Sequence, residues 1–159
     1  MSAAIDIATL GEAHDASPPA TGQLRITQMT AAERPFVLDS WVRSYLPFRP
    51  PYAPSYGMGA KAWTLRCAER LTMAQPVLVA TLDQAPDVVL GWACGGPGVL
   101  HYCYVRQPAR RNGIASALLQ TLLDPPRTGL RLTHRPGKHL RVRARDFGRY
   151  EPLTMEEIS

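Results

Sequence analysis

Arg110-Arg111-Asn112-Gly113-Ile114-Ala115 is the run of this chain whose residue types and spacing point most directly to chemistry. An aromatic-rich run, Leu100-His-Tyr-Cys-Tyr-Val105, precedes it, and Ser116-Ala-Leu-Leu119 follows. A strand therefore passes through a basic loop into a helix. The first amides of a helix have no intrahelical acceptor, and the helix dipole adds positive potential at the same place. Together they make an anion site. Gly113 has no Cβ, so a phosphate can approach its backbone closely, and Arg110 and Arg111 bring charge to that mouth. Neither common nucleotide loop fits. No Gly-Lys-Ser/Thr follows, and the first glycines of a dinucleotide fingerprint are missing.

Other elements must hold this mouth in place. Leu24-Arg-Ile-Thr27 alternates apolar and polar and predicts a first strand. Thr30-Ala-Ala-Glu33 has the spacing of a capping box. Behind it, Val37, Trp41 and Tyr45 run beside Leu38, Val42 and Leu46, which predicts an amphipathic helix stopped by Pro47. Residues 47–59 hold four prolines and three aromatics and read as a long, site-shaping loop. A second helix is expected from Ala60 to Gln75, with Trp63, Cys67 and Leu71 inward. Strands over Val77–Leu82, Val88–Cys94 and Val99–Val105, joined by short turns, predict an antiparallel meander. A third helix is expected over Asn112–Leu123, then short strands at Leu130–Thr133 and Leu140–Ala144.

With 159 residues the chain fits one domain, which can bury roughly 70% of its unfolded surface without a disulfide or metal staple. The expected division is a loosely held leader over residues 1–22 and a single domain over 23–159. Hydrophobic residues at 45% and charged residues at 19% exclude overall disorder. Cys67, Cys94 and Cys103 are odd in number with no C-x-x-C spacing, which argues against a disulfide framework or a zinc module and for a reducing compartment. No metal site is expected. No apolar run reaches the ~18 residues of a membrane span, and no Lys or Arg precedes Arg25 as a secretory leader would require. A cytoplasmic protein with no membrane partner is expected.

Arg110 to Ala115 is similar to the pyrophosphate-binding motif of the GNAT superfamily of acyl-CoA N-acyltransferases, Arg/Gln-x-x-Gly-x-Gly/Ala. The order of strand, two helices, meander, motif helix and strand resembles that family over roughly Leu24 to Pro152. The wording Leu-His-Tyr-Cys-Tyr-Val looks most like small phage- and prophage-encoded acetyltransferase-like proteins. The resemblance implies an α+β fold: a mixed, mostly antiparallel sheet with helices on both faces. It implies acetyl-CoA (coenzyme A) as donor and direct attack by an amine of a small molecule or a protein. The backbone of Tyr104 and Val105 would hold the pantetheine arm. The Arg110 side chain and the amides of Arg111, Asn112, Gly113, Ile114 and Ala115 would hold the pyrophosphate.

Many relatives place a glutamate base on the motif strand, yet no acid occurs here between Asp87 and Asp124. His101, on that strand and sharing parity with Cys103 and Val105, is the candidate base, with packing as its plainer role. Tyr150 is the candidate acid for the leaving thiolate, because the usual interval, Thr133 to His139, holds no tyrosine. Tyr52 and Tyr56 are alternatives. Cys103, on a buried strand, is a poor nucleophile. The missing carboxylate keeps a second reading open, a GNAT-like module that works by binding protein or nucleic acid. A third makes the acceptor a nucleobase. From Arg106 to Arg149 there are eleven basic residues against Asp124 and Asp146. Such a surface suits phosphate, including nucleic acid at the basic C-terminal third. Pairing of Arg141, Arg143 and Arg145 with Glu151, Glu156 and Glu157 is the intramolecular alternative. A homodimer is compatible with everything above.

Overall fold

Two apolar short runs lie in the middle of one sheet. Val-Leu-Val-Ala-Thr-Leu and Gly-Trp-Ala-Cys-Gly-Gly are buried along almost their whole length, as strands covered on both faces must be. A computed structural model describes residues 22–45, 59–123, 129–134 and 148–151. Among them, six strands pair in chain order: β1 (Leu24–Gln28), β2 (Val77–Leu82), β3 (Gly91–Gly96), β4 (Val99–Val105), β5 (Leu130–Leu132) and β6 (Gly148–Tyr150). The first three pairings are antiparallel, whereas β4–β5 and β5–β6 are parallel. Helices α1 (Arg34–Tyr45) and α2 (Ala60–Ala74) precede the meander, and α3 (Ile114–Leu123) links β4 to β5.

Strand alternation divides the core in two. Leu24, Ala80, Ala93 and Leu100 pack with Ile114, Leu118 and Leu122 of α3. Val77, Val79, Trp92, Cys94 and Tyr102 pack with Val37 and Trp41 of α1 and with Ala68 and Leu71 of α2. Helices therefore cover both faces of a mixed, mostly antiparallel α+β sheet, as expected.

Local signals account for several element ends. The Glu33 carboxylate accepts from the Thr30 amide (2.7 Å) and hydroxyl (2.9 Å), the reach-back half of a capping box. The helix proper starts four residues after Thr30. In α2 the buried residues are Thr64, Ala68, Leu71 and Thr72, while Trp63 and Cys67 are only half-buried. The expected inward face was thus set about one residue off, because two buried threonines interrupt the apolar pattern. The Thr64 hydroxyl donates to the Ala60 carbonyl and that of Thr72 to the Glu69 carbonyl, which satisfies both inside the helix.

The third strand starts at Gly91, three residues after Val88. Strand β6 was not anticipated, since three residues are too few to carry a period. The leader, nearly all of the 47–59 loop and the 140–144 strand fall outside the described residues. Among the described residues no helix is long and apolar enough to cross a membrane.

Candidate functional site

The loop after β4 makes one turn of 3-10 helix, Gln107–Ala109. Arg111 (φ 70°) and Gly113 (φ 72°) then both adopt left-handed backbone, with Asn112 between them. Alternation of backbone hand between neighbouring residues is the pattern from which anion-binding nests are built. The first amide of the new helix to reach a backbone acceptor is that of Ala117, on the Gly113 carbonyl (3.0 Å). The amides from Arg111 to Ser116 precede that bond. Glycine tolerates its conformation at 113, whereas Arg111 is strained by its Cβ. Strain at a non-glycine residue persists only where its surroundings impose it. Both arginines of the motif are exposed.

Arg110 differs in part from its expected role, because its Nε donates to the Val105 carbonyl (3.0 Å). That carbonyl is open to it for a geometric reason. The Arg106 amide donates to Leu90 of the chain leading into β3 (2.8 Å), and across a trans peptide the preceding carbonyl points the opposite way. The Val105 carbonyl thus faces the β5 side. The other guanidinium nitrogens of Arg110 keep their donors.

On that side β4 and β5 part. They pair only at Val99↔Arg131 and Leu100↔Leu132, and the last ladder bond runs from the Thr133 amide to the Leu100 carbonyl (3.1 Å). A bulge sits at the same level: Cys94 faces Tyr102, but the next residue, Gly95, faces Leu100. His101 is the extra residue. A Cβ on Gly95 would collide with the Val99 carbonyl, so this approach requires glycine. The bulge breaks the expected parity, for Leu100 packs on the α3 side together with Cys103 and Val105.

The fork just past the last ladder bond holds two histidines. His101 is buried, and its Nδ1 lies 3.0 Å from the Thr133 hydroxyl. His134, two residues beyond β5, hydrogen-bonds the His101 backbone, and its ring centroid lies 4.8 Å from that of Tyr102. Burial holds the His134 pKa down at about 4, against the opposing effect of that hydrogen bond. Its Nδ1 is buried and has no hydrogen-bond partner. In the sequence the interval from Thr133 to His139 stands out only for its lack of tyrosine. Its one legible signal for the fork is the Thr-His pair that follows the strand after the motif helix.

Aromatic rings line the α1 side of β4. Trp41 stacks on Tyr102 (5.3 Å), Trp92 lies against Tyr102 (5.5 Å) and Tyr104 (6.1 Å), and Phe36 meets Tyr104 edge-on (6.3 Å). The Trp92 indole donates to Ser40, and the Tyr102 hydroxyl to Ser44, both at 2.9 Å. Burial pushes the Tyr102 pKa up. The Arg106 guanidinium lies over the Phe36 ring at 4.5 Å.

Tyr150 pairs in register with Leu132, one residue before Thr133, so β6 brings it to the same end of β5. Cys103 carries a thiol pushed up to about 12 by burial, which leaves it protonated and unreactive. All three cysteines are free, and among the described residues no group of three or more His, Cys, Asp or Glu could hold a metal. Glu151 pairs with Arg131 (3.7 Å) and Arg149 (3.4 Å), so part of the C-terminal charge is met within the chain. Arg141, Arg143, Arg145, Glu156 and Glu157 lie outside the described residues.

No family model matches this chain, and no curated protein does. Among solved structures it is similar to apo-form YjaB from Escherichia coli, at 14% identity over 62% of this chain and 63% of that one, with a TM-score of 0.46. A putative GNAT-family acetyltransferase from Desulfovibrio desulfuricans matches at 19% identity over 62% of each chain, TM-score 0.41. The chain thus spans less than two thirds of these two proteins. A ribosomal-protein-alanine N-acetyltransferase from Brucella melitensis biovar Abortus 2308 matches at 18% identity over 82% of this chain and 95% of that one, TM-score 0.44. The fold class of the present chain stands on its own strand order and registers.

Proposed function

We propose that this chain is an N-acyltransferase that takes acetyl-CoA as donor and an amine of a small molecule or protein as acceptor. One continuous feature carries the reading: the nest at the start of α3 opens onto a strand edge that β5 leaves unpaired, and the edge ends at a polar fork. The nest suits a pyrophosphate, with Arg110 and Arg111 adding charge. The β4 edge at Val105 suits an amide-bearing arm that shares the Val105 carbonyl with Arg110, whereas Tyr104, in register with Trp92, turns its backbone toward β3. Pantetheine spans about as much as four or five residues of extended chain, at roughly 3.3 Å each. Four residue steps separate Val105 from His101, so a thioester carried by that arm would stop beside the fork.

At the fork the enzyme has to orient the amine, exclude water and move one proton from nitrogen to sulfur. His101 stands on the fork itself, and Tyr150 stands at the neighbouring strand end to protonate the thiolate. The rings of Tyr102, Trp41 and Trp92 keep the α1 side dry. Mass spectrometry of the protein under native conditions should show bound CoA. Steady release of free thiol from acetyl-CoA should require an added amine. Absence of CoA binding by calorimetry would overturn the reading.

One observation favours a second reading, a CoA-binding module without catalysis: no carboxylate occurs from residue 88 to 123, the stretch that builds the mouth and the β4 side of the fork. CoA binding without thiol release across an amine panel would select it. In either case the basic C-terminal third is the segment with which we would seek a nucleic-acid partner in the cytoplasm.

A further inference from the structure

We propose that His134 is the base that takes the proton from the attacking amine, and that Thr133 and His101 position it. This rests on the acyltransferase reading above and names a residue for a step which that reading leaves without a carboxylate.

The hydrogen bond of His134 to the His101 backbone favours the protonated ring, so the ring is the donor and the carbonyl the acceptor. Nδ1 is buried and has no hydrogen-bond partner. With the ring proton on Nε2, Nδ1 is a bare acceptor closed from solvent. A buried acceptor without a donor costs free energy, which an incoming N–H would return. The titratable groups beside this ring are His101 and Tyr102, both from β4. Ser44 of α1 holds the Tyr102 hydroxyl. No carboxylate among the described residues contributes to the state of this imidazole. It therefore stays neutral, as a base must before the reaction.

His101 is differently placed. Its Nδ1 faces the Thr133 hydroxyl, and this contact ties the end of β5 to β4 at the point where the ladder stops. It holds the frame in which His134 sits.

The step balances within these groups. The amine lone pair forms the C–N bond to the thioester carbon, and the carbonyl π pair moves to oxygen. The nitrogen gives its proton to Nδ1. The oxygen pair then returns, the C–S bond breaks, and the departing sulfur takes the Tyr150 hydroxyl proton, which the proton held on Nδ1 replaces. Products are the acetamide and CoA thiol, with the imidazole restored.

The test uses the full chain with acetyl-CoA and phenethylamine, an amine whose ring suits the aromatic wall. His134→Gln should lower thiol release at least tenfold, within the 10²- to 10⁴-fold range of general base catalysis, while calorimetric CoA affinity stays within twofold. Added imidazole should restore part of the rate to His134→Gly. A conjugate joining CoA sulfur through an acetyl spacer to phenethylamine gives a readout without turnover, and its affinity should fall about fivefold in His134→Gln. Should that variant not fold, nitrogen NMR of the unmutated protein replaces it, and the His134 Nδ1 signal should move when the conjugate is added. Retention of the rate within threefold in His134→Gln, or an unmoved Nδ1 signal, overturns the assignment. Loss of CoA binding by the unmutated protein instead overturns the acyltransferase reading itself. CoA binding without thiol release from the unmutated protein overturns the base.

Discussion

The two ends of β4 are built by opposite means. At its C-terminal end the mouth is exposed, made of backbone amides, and complete within the six residues from Arg110 to Ala115. At the fork the groups are side chains, buried or half-buried, and they come together from residues about 32 positions apart. A local, solvent-facing site tolerates changes in its surroundings and responds to charge. A site assembled across strands depends on register, and its groups are reached by changing the sheet. Mutations at the two ends should therefore separate into effects on donor binding and effects on folding or turnover.

The largest separation is expected from Gly113→Glu. A carboxylate there would stand within about 4 Å of a bound pyrophosphate. Like charges at that distance oppose each other by about 4 kcal/mol at an effective dielectric constant near 20, so CoA affinity should fall on the order of a thousandfold. Gly113→Ala controls for the strain of a Cβ at φ 72° and should cost stability with a smaller loss of affinity. Calorimetry with CoA and a melting curve for each variant sort the two effects. Unchanged affinity in folded Gly113→Glu would remove the nest from the site.

The fork should answer to acid in a way that the mouth does not. His134 is held at about 4 when folded, against its ordinary value of 6.5. The unfolded chain therefore binds more protons between those values, and stability falls as pH drops from about 6.5 toward 4. The full shift corresponds to about 3 kcal/mol at most. Urea midpoints should fall over that window, and less steeply in His134→Gln. An equal slope in both would mean that the ring is solvated in solution.

What the sequence discloses follows the same division. Strands β2 and β4 and the ends of α2 and α3 are local patterns, readable from apolar runs and prolines, and the candidate mouth rests on one glycine-containing motif. The bulge at His101 is invisible in a strand read by alternation, because one extra residue reverses parity without changing composition. The meeting of Thr133 and His134 with His101 depends on a parallel pairing only two residues long, too short to leave a signal. Trp63 and Cys67 misled for a related reason: apolar type marked them as core, whereas self-bonded threonines took the buried positions.

Gly95→Ala would attack the fork through the bulge alone. The new Cβ would press on the Val99 carbonyl and the Leu100 backbone, neither of which can give way as a side-chain tip would. Overpacking of this kind costs roughly 1–3 kcal/mol, so about 2 kcal/mol of stability should be lost by urea titration. Thiol release should fall more than CoA affinity, since the nest lies at the other end of the strand. Equal losses of both would mean that the two ends are mechanically one site.

Arg111→Gly should give the smallest effect, and its sign is the informative part. A side chain in left-handed backbone costs about 1–2 kcal/mol, and glycine would relieve it. Glycine also gives the unfolded chain more freedom, which takes back roughly 0.4–1 kcal/mol. The balance favours the variant by about half a kcal/mol, a rise of one or two degrees in melting temperature for a domain of this size. The side chain is exposed, so its charge acts on a bound anion through water, and CoA affinity should drop only a few-fold, less at high salt. A more stable protein that binds CoA slightly less well would mean that the strain at Arg111 is kept for the charge it presents at the mouth. A less stable protein would mean that the arginine side chain holds the loop, and the nest would then owe its shape to contacts rather than to Gly113.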